Sequence, residues 1–268
     1  MARIEKKKDV VIVGLGWTGS IAGMELAAEG LEIVALERGG DQNTVPEFKY
    51  PNQIDELTYG VRLKNMQHPR QATVTVRRDD SETALPYRSM GSFLPANGVG
   101  GAGTHWNGLL WRPQPQEIQL RSYVKERWGE SIIPEGMNLL DYPVTYDELE
   151  PFFTQFDEVA GVSGTAGNLK GEIQAGGNPF EGWRSKEYPM PALGTTYDSS
   201  KFAATAKNMG LHPFPAPAGI ASTSYVNPYG MQMAPCNFCG FCERYGCYQY
   251  SKSSPQTAVL DALKRKPN

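Results

Sequence analysis

Val10-Val11-Ile12-Val13-Gly14-Leu15-Gly16-Trp17-Thr18-Gly19 joins a short, wholly apolar run to the spacing G-x-G-x-x-G. Four apolar residues without polar alternation read as a strand buried on both faces, as in a parallel sheet. Behind the glycines, Ile21 to Ala28 is rich in Ala, Met, Glu and Leu and predicts a helix. Leu31 to Leu36 predicts a second strand, ending at Glu37 and Arg38. Glycines between strand and helix permit the tight turn and let backbone N–H groups at the positive helix end approach a pyrophosphate. A carboxylate about twenty residues further on, here Glu37, is placed to accept hydrogen bonds from a ribose. The alternative is a glycine-rich turn without a ligand, with Glu37 a solvated strand end; it leaves the strand, the spacing and the carboxylate as three coincidences. The expectation is a dinucleotide site built on Gly14, Gly16, Trp17, Thr18, Gly19, Glu37 and Arg38. A nicotinamide enzyme would continue as regular strand–helix units, whereas this chain breaks after Arg38-Gly39-Gly40 into irregular, proline-bearing sequence. That favours FAD, a longer and more deeply enclosed cofactor.

The rest of the composition sets bounds. A chain of 268 residues holds one large domain or two smaller ones. With 40% hydrophobic and 21% charged residues it can bury a core, and its 29 Gly and 20 Pro make it rich in loops. A net charge of −3 offers no basic footprint for nucleic acid. No apolar run approaches the ~18 residues of a membrane helix, and no apolar leader ends in a small-residue cleavage site. Contact with a membrane is therefore expected only through partners. Periodicity predicts further elements: a strand near Ala72–Val76, and helices over Pro115–Trp128, from Thr145 to Ala160, over Lys201–Asn208 and over Ser254–Lys264. Asp147 and Glu148 suit the start of the second of these helices.

Asn97-Gly98-Val99-Gly100-Gly101-Ala102-Gly103-Thr104-His105-Trp106-Asn107-Gly108 is a second glycine loop. Its backbone can pass close to a flat ligand and present N–H groups to it. A flexible linker is the plainer reading, but linkers do not carry His-Trp-Asn directly behind their glycines. With both loops, Glu37-Arg38-Gly39 and Arg112 downstream, the chain resembles the glucose–methanol–choline family of FAD oxidoreductases. Tyr142-Pro143-Val144-Thr145-Tyr146-Asp147-Glu148-Leu149-Glu150-Pro151 is similar to a segment of that family's sugar-acid and sugar dehydrogenase branch.

The resemblance covers essentially all 268 residues, but only the family's N-terminal half. It implies an α/β fold with a Rossmann-like FAD-binding domain and long irregular insertions. That domain would occupy 1–160, followed by a Gly/Pro-rich segment at 161–230 that partly faces substrate or partner. A cysteine cluster would follow at 231–250, and 251–268 would begin the return to the FAD domain. Gly100, Gly101, Thr104, Trp106, Asn107 and Gly108 would lie along the flavin, with His105 packed beside it. The implied reaction is oxidation of the C2 hydroxyl of gluconate or a related sugar acid by hydride transfer to flavin. A sibling sugar, polyol or alcohol dehydrogenase is the alternative within the family, and a non-catalytic FAD/iron–sulfur electron-transfer or binding module is the alternative outside it. The resemblance also implies a small subunit, a cytochrome c subunit and a quinone acceptor, in a complex on the periplasmic face of the inner membrane, exported with a partner. The family's catalytic base is a His near its C-terminus. No catalytic residue is therefore expected in these 268 residues, and the chain alone is expected to be inactive.

Four cysteines fall within twelve residues, as Cys236-x2-Cys239-x2-Cys242-x4-Cys247. Disulfides spread over a fold, whereas the ligands of one small inorganic centre cluster. The spacing is close to the C-x2-C-x2-C-x3-C run of iron–sulfur proteins, with one more residue in the last gap and Tyr248 where that run has Pro. Iron–sulfur is preferred to zinc, which usually draws on two separated pairs, and both are preferred to disulfides or free thiols. Some relatives in the partnered branch hold a three-iron cluster on three cysteines, which would leave one of these four unused. His68 and His212 each precede a Pro and read as loop residues.

Overall fold

A computed structural model describes residues 6–48, 74–76, 81–83, 85–87 and 96–268. His68 lies outside the described residues. The chain divides into two units, Met1–Gly108 with Ser224–Asn268, and Leu109–Thr223. Helix and strand are mixed throughout.

In the first unit, strand β1 (Val10–Val13), helix α1 (Trp17–Ala28) and strand β2 (Ile33–Leu36) follow in order. The strands are parallel, with Val10 opposite Ile33 and Val13 opposite Leu36. The helix starts four residues before the expected Ile21, because the Gly16 carbonyl already accepts the Ser20 N–H at 3.0 Å. Gly23 lets α1 pack closely: a Cβ there would stand 3.3 Å from Ile12 Cδ1 and 3.0 Å from Leu263 Cδ2. Apolar packing thus runs from β1 through α1 to the end of the chain. The last residues close it, with Asn268 Nδ2 donating to the Ala27 and Leu31 carbonyls and its own carbonyl accepting the Ile33 N–H. The expected helix over Ser254–Lys264 is a wide turn at Gln256–Leu260 running into a short helix at Asp261–Leu263. Strand burial departs from the expectation. Val11 and Val13 are 59% and 84% exposed, with Leu36 beside them at 52%, so β1 is covered on its helix side only. The expected strand near 72–76 is described as β3 (Val74–Val76), antiparallel to β4 (Leu85–Tyr87).

The second unit takes in residues 109–160, which the sequence places with the first domain, together with 161–223. The helix expected over Pro115–Trp128 is two helices, α2 (Pro115–Ile118) and α3 (Leu120–Trp128). Gln119 breaks them: its backbone leaves the helical region, and its side-chain amide donates to the Tyr142 and Val144 carbonyls at 3.0 Å each. Helix α4 (Tyr146–Ala160) forms as the sequence predicts. Thr145 and Glu148 make a reciprocal capping box at its start, and Gly161 ends it in the left-handed conformation. Its inner face is polar. Arg112 reaches Glu150 at 3.0 Å and Asp157 at 2.6 Å, and Arg184 reaches the same Asp157 oxygen at 2.7 Å while its guanidinium lies 3.6 Å over the Tyr188 ring. Burial opposes the charge on Glu150, but the Ser185 N–H, Thr154 and Arg112 outweigh it and hold the carboxyl below its usual range. Among the described residues no helix is long and apolar enough to cross a membrane.

Candidate functional site

The first glycine loop, the end of β2 and the second glycine loop meet in the first unit. The Gly14 N–H donates to the Leu36 carbonyl, and the Gly100 N–H donates to the Leu15 carbonyl, both at 2.7 Å. Gly40 and Gly98 form a parallel bridge. Glu37 turns back on its own loop, with Oε2 accepting the Leu15 N–H at 3.1 Å and Oε1 the Gly39 N–H at 3.0 Å. Burial raises its pKa, but these backbone donors prevail and hold it below the ordinary carboxylate value. An ionised carboxylate has about four lone-pair sites, so both oxygens retain capacity for ribose hydroxyls.

The glycines separate structural from ligand demands. Gly14 has φ +91, and a Cβ on Gly19 would collide with the Gly14 carbonyl oxygen. Gly16 has an ordinary extended backbone, and none of the described residues has an atom within 4 Å of where its Cβ would stand. The fold itself does not require glycine at 16. A close-lying ligand does, and Gly16 caps a twelve-residue helix whose first turn has neither a side-chain cap nor an acidic residue. A helix start without a side-chain cap, its positive end and open space fit the pyrophosphate of FAD.

The second loop carries its residues to the same place. Gly100 and Thr104 are buried, and Trp106 meets Trp17 edge to face with ring centroids 6.3 Å apart. Gly103 permits that approach, since a Cβ there would lie 2.6 Å from Trp17 Nε1. His105 is 5% exposed and its Nε2 is buried without a hydrogen-bond partner. Burial, helped by the charge of Lys252, holds the imidazole pKa below its ordinary value, so it is neutral at pH 7. A buried neutral ring with an unused nitrogen suits packing beside a cofactor. Thr18, Arg38 and Asn107 are at the surface, Gly101 and Gly108 take positive φ, and Arg112 belongs to the other unit, where it is held by carboxylates.

A strap missed by sequence reasoning fastens this loop. Gln256 Nε2 donates to the carbonyls of Gln42 and Val99, and its Oε1 accepts the Thr104 hydroxyl at 3.2 Å. Trp106 Nε1 donates to the Ser253 carbonyl at 2.7 Å, and Lys252 Nζ to the Trp106 carbonyl at 2.6 Å. The stretch 251–260 is buried throughout. In a polar run such as Ser-Lys-Ser-Ser-Pro-Gln no periodicity marks burial.

The cysteine segment belongs to the same unit. Thr44 Oγ1 donates to the Cys247 carbonyl at 2.8 Å, and Phe48 packs against Gly246. The four cysteines carry separate, half-buried thiols. Burial pushes Cys242 up to about 11, with the other three thiols adding to the shift, so all four share one neighbourhood. Cys236 Sγ accepts the Phe238 N–H and Cys247 Sγ the Lys252 N–H, as thiolates bound to a cluster do. Yet among the described residues no three His, Cys, Asp or Glu side chains converge closely enough to share one ion. The donor chemistry suits iron–sulfur, but the arrangement does not close on it. A cavity of about 570 Å³ in the second unit, walled by Phe180, Glu181 and Trp183, holds none of the expected site residues.

No protein-family model matches the chain. It is 48% identical over 98% of its length to the gluconate 2-dehydrogenase flavoprotein of Pantoea cypripedii, covering 43% of that protein. It is 25% identical over 81% of its length to the fructose dehydrogenase large subunit of Gluconobacter japonicus, covering 37% of it. It is 22% identical over 97% of its length to paromamine 6'-oxidase of Streptomyces fradiae, covering 39% of it. The chain thus spans less than half the length of these curated relatives. Its resemblance to the glucose–methanol–choline oxidoreductases, and above all to a gluconate 2-dehydrogenase flavoprotein, runs along nearly the whole of the chain.

Proposed function

We propose that this chain forms the flavin-binding part of an FAD-dependent dehydrogenase that oxidises a secondary hydroxyl of a sugar acid, the C2 hydroxyl of gluconate first. The observation that carries the reading is the open space at Gly16, at the uncapped start of α1, enclosed by Glu37 and the second glycine loop. The 48% identity to a gluconate 2-dehydrogenase flavoprotein directs it to this substrate class. Bound there, FAD supplies the acceptor for the hydride that leaves the alcohol carbon. N–H groups at the start of α1 hold the pyrophosphate, and Glu37 orients the ribose. The Trp17–Trp106 pair and His105 wall the cofactor from water. A general base would take the alcohol proton as the hydride leaves.

For the cysteine segment we propose an iron–sulfur cluster, on the chemistry of its four thiols alone. Partner subunits, a cytochrome among them, and a place on the periplasmic face of the inner membrane complete the reading; the name of the fructose dehydrogenase relative, a large subunit, supports partners in general.

The test is an anaerobic absorption spectrum of the purified full-length protein, with iron and acid-labile sulfide assayed on the same sample. Flavin bands that bleach on adding gluconate are the expected result. A protein without flavin, or with flavin that no sugar acid reduces, would overturn the dehydrogenase. Flavin without iron and sulfide would overturn the cluster and leave the dehydrogenase standing.

A further inference from the structure

We propose that Lys252 is a positioning residue that locks the cysteine segment onto the flavin loop and sets one fixed positive charge between them. The proposal rests on the flavoprotein reading, and reaches a residue that neither glycine motif nor cysteine spacing contains. Lys252 is 1% exposed. Its ammonium donates to three carbonyl oxygens, those of Trp106 at 2.6 Å, Cys242 at 2.7 Å and Tyr245 at 2.7 Å. The first belongs to the flavin loop and the other two to the cysteine segment. Three donors radiating from one atom match three converging carbonyls; a guanidinium is a planar fork, and an amide has only two N–H groups.

Neighbouring bonds tie the same two segments. The Arg244 N–H donates to the His105 carbonyl at 2.8 Å, and Trp106 Nε1 donates to the Ser253 carbonyl. The Lys252 backbone N–H itself reaches Cys247 Sγ at 3.4 Å. Lys252 is thus the point at which displacement of either segment must move the other. Its charge also reaches the flavin loop, disfavouring a proton on the buried His105. A fixed cation beside a flavin loop favours arrival of electrons there, because the reduced flavin gains negative charge.

Three substitutions in the full-length protein separate the strap from the charge. Lys252→Arg keeps the charge, Lys252→Gln keeps two donors without it, and Lys252→Met removes both. Two measurements read them: amide hydrogen exchange over 99–107 and 236–250 in the flavin-free protein, and the flavin midpoint potential of the loaded protein. In Lys252→Met we expect exchange in both segments to rise together by at least about tenfold, with a more negative potential. Lys252→Gln should show the potential shift with less loss of protection, and Lys252→Arg should keep the wild-type potential. Unchanged exchange in both segments with an unchanged potential would overturn the proposal, as would protection lost uniformly over the whole chain with the potential held. Should Lys252→Met fail to fold, the comparison of Gln with Arg decides the charge. Should the wild-type protein bind no flavin, the flavoprotein reading falls while the exchange comparison still decides the strap.

Discussion

Gly16 and Gly19 stand three residues apart in one motif, yet they answer to different demands and can be told apart by substitution. Gly16→Ala meets no atom of the described residues and an ordinary backbone, so we expect the melting temperature to stay within a few degrees while flavin retention falls. Gly19→Ala drives a methyl into the Gly14 carbonyl, and overpacking of that kind costs about 1–3 kcal/mol. Chemical denaturation with flavin absorbance on both variants checks the pair; equal loss of stability would remove the argument that Gly16 answers to a ligand. Glu37 gives a pH signature. Its folded pKa lies below its unfolded value, so its contribution to stability is present above the unfolded pKa, about 4.3, and is lost as pH falls through the folded value. Glu37→Gln should flatten that part of the acid limb of a melting-temperature profile, because the Leu15 and Gly39 N–H groups then share a neutral amide oxygen.

Helix α4 shows where local sequence suffices and where it does not. Thr145 followed three residues on by Glu148 carries the capping-box signature in the sequence itself, and the box forms. Thr145→Ala should cost about 1 kcal/mol in urea denaturation without touching flavin content. The break between α2 and α3 was not legible, because Gln119 leaves the helix to reach carbonyls of Tyr142 and Val144, more than twenty residues later. Arg112 marks a third case. It belonged to the pattern that carried the family resemblance, yet it braces α4 through Glu150 and Asp157. Glu150, Thr154 and Asp157 recur every three to four residues, on the stripe a packed helix reserves for apolar side chains. That spacing was the available signal. Arg112→Met strips a buried carboxylate pair of one cation, and breaking such a pair costs about 3–5 kcal/mol. We expect denaturant midpoints to fall accordingly; a loss below about 1 kcal/mol would mean that Arg184 alone suffices for Asp157.

Across the whole molecule, the strand–helix–strand unit was readable because its apolar run, glycines and carboxylate lie within one short stretch, Val10 to Glu37. Its burial was not. Parallel strands are normally covered on both faces, but Val11, Val13 and Leu36 leave one face of the β1–β2 pair open. We expect the 268-residue protein to bind a hydrophobic dye such as 8-anilinonaphthalene-1-sulfonate there, with the fluorescence reduced by Val13→Lys; undiminished fluorescence would place the dye elsewhere. The polar strap at 252–256 was equally hidden, since its burial depends on carbonyls contributed by loops far away in sequence. That distance has a consequence for the timing of synthesis. Thr104 and Gln256 are 152 residues apart, and ribosomes add about 5–20 residues per second. The strand–helix–strand unit emerges first, but the loop that walls the cofactor waits roughly 8–30 s for the residues that pin it. Over that interval the nascent chain carries an accessible, half-built nucleotide pocket, and firm closure of the second glycine loop waits until Gln256 has emerged.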